Sequence, residues 1–189
     1  MRPRTLKSAA EAGDLAAVQY HLSKGAEINA TTAAGHFALG GAIINGHYRV
    51  VEYLIANGAD IDQESEYGWS PLYLAAWTGS AESTALLLLA GANINTQTRG
   101  GWNSPSGYSQ LHIAAERGHL AIIMLLVAAG AQVNARNGSS ETALDLATEA
   151  GHASIVKFLQ SLPAQSLPAQ SMPASRSLRK KGAALARPK

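Results

Sequence analysis

Glycines recur along this chain at a nearly constant interval, and that interval limits the possible folds more than any other feature of the sequence. One series of five is separated by 33, 33, 39 and 33 residues: Gly13, Gly46, Gly79, Gly118 and Gly151. A second series, the Gly-Ala pairs that begin at residues 25, 58, 91 and 130, has intervals of 33, 33 and 39. A fixed period of this length predicts a repeat protein, in which small units stack in a row.

The single longer interval falls at the same place in both series, so six residues are inserted once, between Gly91 and Gly118. Within this interval, residues 98–107 read TRGGWNSPSG. Adjacent glycines, a proline and small polar residues are typical of a loop. We expect the insertion to lengthen one hairpin turn without disturbing the stacked units, and either to reach a partner or to fold back on the stack.

Each period contains the signals for two short helices. In the third period, Ser70 is a good N-cap residue, and Pro71 occupies the first helical position, where its missing N–H has no cost. Gly79 is suited to end that helix in a left-handed conformation. A second helix is predicted over residues 82–90, with Gly91 after it. Helices this short are not stable alone, so each pair must pack against the next pair.

The motifs within each period resemble those of the ankyrin repeat. The matching segments are Ser-Pro-Leu at 70–72, Leu-His-Ile-Ala-Ala at 111–115, and Gly-His at 46–47, 118–119 and 151–152. The resemblance covers about residues 5–161 and implies an all-α ankyrin-repeat solenoid of stacked helix-turn-helix units joined by short β-hairpin loops. The repeat domain would be residues 1–161, with units at about 5–31, 32–64, 65–97, 98–136 and 137–161. A basic tail rich in Pro, Ser and Ala, residues 162–189, would follow it and is expected to be disordered.

The inner helix of the second unit contains two adjacent glycines, Gly40 and Gly41. Each costs about 1 kcal/mol relative to alanine within a helix. Gly41 also stands where the other units have Leu74, Ile113 and Leu146. We therefore predict that this helix is the least stable of the inner helices.

Three tryptophans suggest where a partner would bind. The family resemblance implies that the concave face and the hairpin tips contact partner proteins, and Trp69 and Trp77 fall on such positions, with Trp102 in the insertion. Trp and Tyr are frequent at interface hot spots. The predicted partner-binding residues all belong to units three and four: Glu66, Tyr67, Trp69, Trp77, Thr78, Trp102, Tyr108, Glu116 and Arg117. The alternative is a structural role, in which Trp69 and Trp102 pack together and Trp77 covers the neighbouring inner helix.

The same resemblance implies structural roles for the histidines and for the polar residues of the hairpins. Four histidines occupy family positions at which the ring hydrogen-bonds the backbone between units: His47, His112, His119 and His152. Asn29, Asn95 and Asn134 are expected to hydrogen-bond the turn backbone. The run of acids from residue 60 to residue 66 is interpreted as a solvated hairpin edge that favours a basic partner segment, because its spacing is not that of an EF-hand loop.

Catalytic and cofactor-binding motifs are missing from the sequence. It contains no H-E-x-x-H, no P-loop, no G-x-G-x-x-G and no G-x-S-x-G. With no cysteine, disulfides and thiolate metal sites are excluded. We therefore predict no enzyme activity, no small-molecule substrate, no cofactor and no metal. No apolar run reaches the ~18 residues of a membrane helix, and no signal peptide is recognised. A cytoplasmic location is expected, with nuclear or secreted-effector locations left open.

Charge is distributed unevenly along the chain. The tail holds six of the 15 basic residues and none of the 13 acidic ones, so residues 1–161 contain nine basic and 13 acidic residues. The leading hypothesis is a monomeric, non-enzymatic scaffold, acting as an adaptor, an inhibitor or an effector module, that binds another protein through its concave face. The alternative is a protein that binds nucleic acid or an anionic surface through the basic tail. The acidic body and the lack of aromatic residues in the tail argue against the alternative.

Overall fold

The computed structural model describes residues 5–33, 35–101 and 104–162, which contain ten α-helices in two layers. The inner layer comprises α1 (Leu6–Glu11), α3 (Ala38–Ile44), α5 (Pro71–Thr78), α7 (Gln110–Glu116) and α9 (Ala143–Glu149). The outer layer comprises α2 (Leu15–Ser23), α4 (Tyr48–Ala56), α6 (Ala81–Leu89), α8 (Leu120–Ala128) and α10 (Ala153–Ser161). Each predicted unit contains one inner and one outer helix. Of the predicted tail, only Leu162 lies within the described residues.

The helix boundaries follow the capping signals of the sequence. The Ser70 side chain accepts a hydrogen bond from the Tyr73 N–H, Pro71 begins α5, and Gly79 ends it with φ +80°. Capping boxes, in which the cap residue and the third helical residue bond each other's backbone N–H, begin three other inner helices. These pairs are Thr5 with Ser8, Ser109 with His112, and Thr142 with Asp145.

Stacking gives the short helices their stability. Each inner helix packs on the next inner helix and on its own outer helix, and neighbouring outer helices also meet. Leu72, Leu111 and Ile123 are among the fully buried residues of a core that is continuous from the first unit to the last. The predicted all-α solenoid of stacked helix-turn-helix units is confirmed, since ten helices within the described residues form two layers around one continuous core.

Histidine rings connect successive units through the backbone. The Nε2 atoms of His47 and His152 lie 3.0 Å from the carbonyl oxygens of Glu11 and Glu116, respectively. His119 makes the equivalent bond to the Trp77 carbonyl. The three acceptors stand at the same position of their units, two residues before the glycine that ends the inner helix. The predicted structural role of these histidines is confirmed.

Hairpin side chains form a second connection between units. The Asn29 Oδ1 accepts from the Asp60 N–H at 2.9 Å, and the Asn95 Oδ1 accepts from the Gln132 N–H at 3.0 Å, as expected for these asparagines. Asp62 occupies the same position in the intervening turn, and its Oδ1 accepts a hydrogen bond from the Asn93 N–H at 2.9 Å. An oxygen at this position therefore fixes the start of the next hairpin in three successive turns.

The six-residue insertion lengthens one hairpin turn, as predicted. In the preceding turn a hydrogen bond from the Ser65 N–H to the Trp69 carbonyl spans four residues, and in the lengthened turn the bond from Thr98 to Tyr108 spans ten. The additional residues form two short antiparallel strands, β1 (Arg99–Gly101) and β2 (Ser104–Ser106), with Arg99 opposite Ser106. Trp102 lies outside the described residues.

Helix α3 is expected to be the least stable inner helix, and the structure adds a reason. Its N-cap residue, Phe37, makes no side-chain capping bond, whereas Ser70 and Ser109 cap α5 and α7. Two helical glycines lower its stability further. Hydrogen–deuterium exchange should show the amides of α3 exchanging at least about tenfold faster than those of α5, which corresponds to about 1.4 kcal/mol. Equal protection in the two helices would contradict this prediction.

Candidate functional site

The predicted site residues within the described ranges lie on one side of the stack. We call this side the inner surface, meaning the exposed side of the five inner-layer helices together with the hairpin turns. Glu66, Tyr67 and Trp69 belong to the hairpin turn before α5. Trp77 and Thr78 are the last residues of α5, and Glu116 and Arg117 occupy the equivalent positions of the next unit. Among these residues, Trp77 of unit three is in contact with Arg117 of unit four.

Trp77 and Arg117 form the most exposed contact of this group. The guanidinium carbon of Arg117 lies 4.5 Å from the centre of the Trp77 ring, so the cation of unit four covers the ring of unit three. The tryptophan still exposes 37% of its surface. A cation over an aromatic ring at an exposed site contributes about 0.5–1 kcal/mol. This pair joins neighbouring units and leaves a large aromatic surface in contact with solvent.

A second aromatic group fixes the hairpin turn of unit three. The rings of Tyr67 and Trp69 have centroids 5.2 Å apart, and Trp69 stacks on Tyr73 at 6.2 Å with an interplanar angle of 15°. Tyr73 is buried, and burial, with a smaller effect from Glu116, raises its pKa to about 12. Trp69 is half-buried and packs on Tyr73 of the core, which is a structural contact, whereas the predicted pairing of Trp69 with Trp102 falls outside the described residues.

Tyr108 is buried, not open to solvent as expected of a contact residue. Only 7% of its surface is exposed, and its ring centroid lies 5.7 Å from that of His112. Burial raises the pKa of its hydroxyl, and the nearby Glu116 acts in the same direction. Tyr108 stands at the position of Trp69 in the previous unit, and its backbone is held to the start of its turn by the equivalent pair of bonds, so its ring also packs on the stack.

An acidic cavity extends the candidate site into unit five. It has a volume of about 330 Å³ and lies between α7, α9 and the hairpin turn before α9. The lining residues are Tyr108, Glu116, Glu141, Leu146, Glu149 and Ala150. Glu149 was not included in the predicted site, although it stands at the same position of its unit as Trp77 and Glu116. The register of the repeat identifies Glu149 as a contact position in the same way.

An apolar groove lies at the other end of the inner surface. It has a volume of about 130 Å³ and follows α3, with Phe37, Leu74 and Trp69 contributing apolar walls. Gly40 and Gly41 form part of its floor, and Ile44 is 45% exposed at its end. The sequence prediction treated these glycines only as a source of instability. Their absence of side chains also opens the groove.

The acidic run before unit three lies along the exposed edge of the hairpins, since Asp60, Asp62 and Glu66 are exposed and Glu64 is half-buried. The carboxylates of Asp60 and Asp62 each accept a backbone hydrogen bond. Glu64 forms an ion pair with Arg99 at the base of the inserted hairpin. The run is therefore a solvated edge, as the sequence predicted, although part of its charge is used in two backbone hydrogen bonds and one ion pair.

No three His, Asp or Glu side chains within residues 5–33, 35–101 and 104–162 are arranged to hold a metal ion. Over the same residues, no helix has the length and the apolar character needed to cross a membrane.

Comparison with protein-family models gives two matches that together follow the stack. A model of ankyrin repeats in three copies matches residues 6–98, and a model of ankyrin repeats in many copies matches residues 111–160. The interval between them contains the inserted hairpin. No curated protein matches the chain.

Proposed function

Because the chain belongs to the ankyrin repeat family, we propose that it is a non-enzymatic scaffold that binds a partner protein on its inner surface. Ankyrin repeats generally mediate protein–protein interaction. The proposed centre is the pair formed by Trp77 and Arg117, and the exposed ring of Trp77 beside that guanidinium is the observation that carries the proposal. Trp and Arg are among the residues most frequent at binding hot spots.

The surroundings of this pair support an interface with a polar rim. Thr78 follows Trp77 directly, and the exposed side chains of Glu66 and Glu116 stand on the same surface. Charged groups at the rim set the orientation of a partner and increase the association rate, while buried aromatic groups supply most of the affinity. The acidic cavity next to Glu116 would favour a partner that presents basic side chains to unit five.

The inserted hairpin is proposed as part of the same interface. Its first strand is attached to unit three, since the Arg99 N–H donates to the Tyr67 carbonyl at 3.1 Å. Arg99 also pairs with Glu64, which immediately precedes unit three. The hairpin base therefore adjoins the Tyr67 and Trp69 rings, and Trp102 enters the proposal as the aromatic residue carried by this hairpin.

Replacing the central pair should abolish binding without unfolding the protein. We expect the double variant Trp77→Ala, Arg117→Ala to bind a partner isolated with the wild-type chain at least about 30-fold more weakly, the loss expected of a hot spot worth about 2 kcal/mol. The measurement is titration calorimetry with purified full-length chains. Trp102→Ala, assayed separately, tests the contribution of the hairpin. Trp69→Ala is unsuitable because this ring packs on Tyr73.

The matched control is an exposed apolar residue of the outer layer. Met124 in α8 exposes 50% of its surface, and Met124→Ala should leave the affinity within about twofold, since residues outside the interface contribute little. Circular dichroism would establish that all variants remain helical. If the double variant bound as tightly as the wild type, or if Met124→Ala weakened binding equally, the proposed interface would be wrong.

A further inference from the structure

The groove along α3 has the form of a receptor for one aliphatic side chain. Gly41 brings the backbone of α3 close to the Glu11 side chain, since a Cβ at residue 41 would lie 2.7 Å from the Glu11 Cγ. A Cβ on Gly40 would lie 2.9 Å from the Phe37 ring and 3.1 Å from Leu74. The groove thus owes its depth to two residues without side chains, and its accessible walls are predominantly apolar.

Carboxylates stand at both ends of this groove. Glu66 adjoins its hairpin end, where a Cβ on Gly35 would lie 3.1 Å from the Glu66 Cγ. Glu11 adjoins its other end beside Gly41, and Lys7 pairs with one of its oxygens. The charged side chains that line the acidic cavity further along the inner surface are also all carboxylates. An aliphatic residue with basic residues on both sides would complement this arrangement.

We propose that the chain's own C-terminal segment occupies this groove, with Leu178 between the apolar walls and the neighbouring basic residues near Glu11 and Glu66. Residues 176–181 read Arg-Ser-Leu-Arg-Lys-Lys, which places a base two residues before this leucine and three bases directly after it. Leu167, in contrast, has no basic residue within eight positions on either side. Leu178 therefore matches both the apolar walls and the two acidic ends.

The length of the segment permits this contact. Leu162, the last described residue, follows α10 in the fifth unit, and Leu178 lies 16 positions further along the chain. An extended chain with frequent prolines covers about 3.1 Å per residue, or about 50 Å in total. Neighbouring packed helices lie about 10 Å apart, so the second unit is about 30 Å from the fifth. The segment has enough reach to cross the inner surface.

Occupation of the groove would place the chain's own residues beside the interface proposed for units three and four. Trp69 lines the groove and Glu66 belongs to the proposed interface, so a bound segment and a partner would compete for the same part of the inner surface. The occupancy itself does not depend on the identity of any partner. It is tested on the chain alone, so that its failure and the failure of the proposed function are distinguishable.

Paramagnetic relaxation in the full-length chain tests the contact directly. The chain has no cysteine, so Gly182→Cys provides a single site for a nitroxide label. With the label oxidised, the amide resonances of Gly35, Gly40 and Gly41 should lose intensity relative to the reduced sample, and those of Gly130 and Gly151 should not. Raising the salt concentration to about 1 M, where the screening length is about 3 Å, should reduce the effect.

Matched variants separate this contact from nonspecific attraction of a basic tail. Leu178→Ser should remove the loss of intensity, and Leu167→Ser should retain it. Ile44→Lys, which places a cation at the exposed end of the groove, should also remove it, whereas Met124→Lys in the outer layer should not. Intensity retained at Gly40 and Gly41 in the labelled chain, or losses unaffected by Leu178→Ser, would overturn the proposal.

A mixture of two chains identifies the source of the segment. In it, ¹⁵N-enriched chains without a nitroxide are combined with an equal concentration of nitroxide-labelled chains that contain ¹⁴N. The intramolecular contact is supported if ¹⁵N chains that carry their own nitroxide lose intensity and the nitroxide-free ¹⁵N chains of the mixture do not. Loss in the mixture equal to that in the labelled chain would show that the segment of a second copy fills the groove, and the proposal would then be wrong.

Discussion

Gly79→Ala is expected to lower the free energy of unfolding by about 3 kcal/mol. Gly79 has φ +80°, a left-handed conformation that costs a residue with a Cβ about 1–2 kcal/mol. The new Cβ would also lie 2.7 Å from the His119 ring, which covers this glycine from the next unit. Overpacking of this kind adds about 1–3 kcal/mol. The same ring donates to the Trp77 carbonyl, so displacing it also weakens the connection between units three and four.

Gly46→Ala is the matched control for this prediction. Gly46 occupies the same position of the second unit with φ +72°, but a Cβ there would meet no atom within 4 Å. The reason is visible in the sequence, because the third unit has Ser80 at the position of the histidines that cover Gly13, Gly79 and Gly118. Gly46→Ala should therefore lower the free energy of unfolding by only about 1 kcal/mol, which is the cost of the left-handed conformation.

Thermal unfolding of the two variants measures the difference. In a chain of this size, 1 kcal/mol corresponds to about 2–4 °C, so Tm should fall by about 9 °C for Gly79→Ala and by about 3 °C for Gly46→Ala. Combining Gly79→Ala with His119→Ala should restore part of the loss relative to the sum of the single variants, because the steric overlap disappears. Equal shifts for the two glycine variants would show that the histidine does not restrict residue 79.

Features with a local cause could be predicted from the sequence. The glycine period, the Ser70 cap and the proline that follows it depend on residues within a single helix or turn, and the structure places α5 where they indicate. The inserted hairpin is equally local, since its six residues are bounded by the hydrogen bond from Thr98 to Tyr108. The histidine positions were interpretable because each contact recurs with the period of the repeat.

Features that depend on neighbouring units could not be predicted in the same way. Gly41 was judged by its effect on its own helix, but the Glu11 side chain of the preceding unit packs beside it and the groove results from both. Tyr108 occupies a position predicted to contact partners, yet the stack buries it. For Gly41 the deciding contact comes from Glu11, which is distant in sequence.

His112 links units four and five through a buried network of hydrogen bonds. The ring is 1% exposed, and its Nδ1 accepts from the Ser109 N–H at 3.1 Å. Its Nε2 lies 3.1 Å from the carbonyl oxygens of Ala135 and Glu141, to which it donates. All of these bonds are satisfied by the neutral ring with its proton on Nε2. A second proton on Nδ1 would face the Ser109 N–H and remove that bond.

Replacing this ring should therefore have a large cost at neutral pH. His112→Ala would leave the Ser109 N–H without its acceptor and would open a cavity between the two units. We expect a loss of about 3 kcal/mol at pH 7.5, since each buried polar group left unsatisfied costs about 1–3 kcal/mol. His36→Ala, on an exposed hairpin turn, should change the free energy of unfolding by less than about 0.5 kcal/mol.

The same network makes stability dependent on pH. Burial lowers the pKa of His112 below its ordinary value, despite the opposing effect of the two carbonyl acceptors, and burial also lowers the pKa of His119. Between that lowered pKa and about 6.5, the unfolded chain binds more protons than the folded one, so stability falls as pH decreases. The stability that the neutral rings contribute is fully present above about pH 6.5.

Denaturant titrations from pH 7.5 to pH 5 provide the measurement, since the midpoint reports the free energy of unfolding at each pH. The wild-type midpoint should fall as the pH decreases below about 6.5, and the slope should be shallower in His112→Gln, which cannot take up the proton. His36→Gln should retain the wild-type slope. A slope that is unchanged in His112→Gln would mean that this ring is protonated equally in the folded and unfolded states, contrary to the buried neutral network.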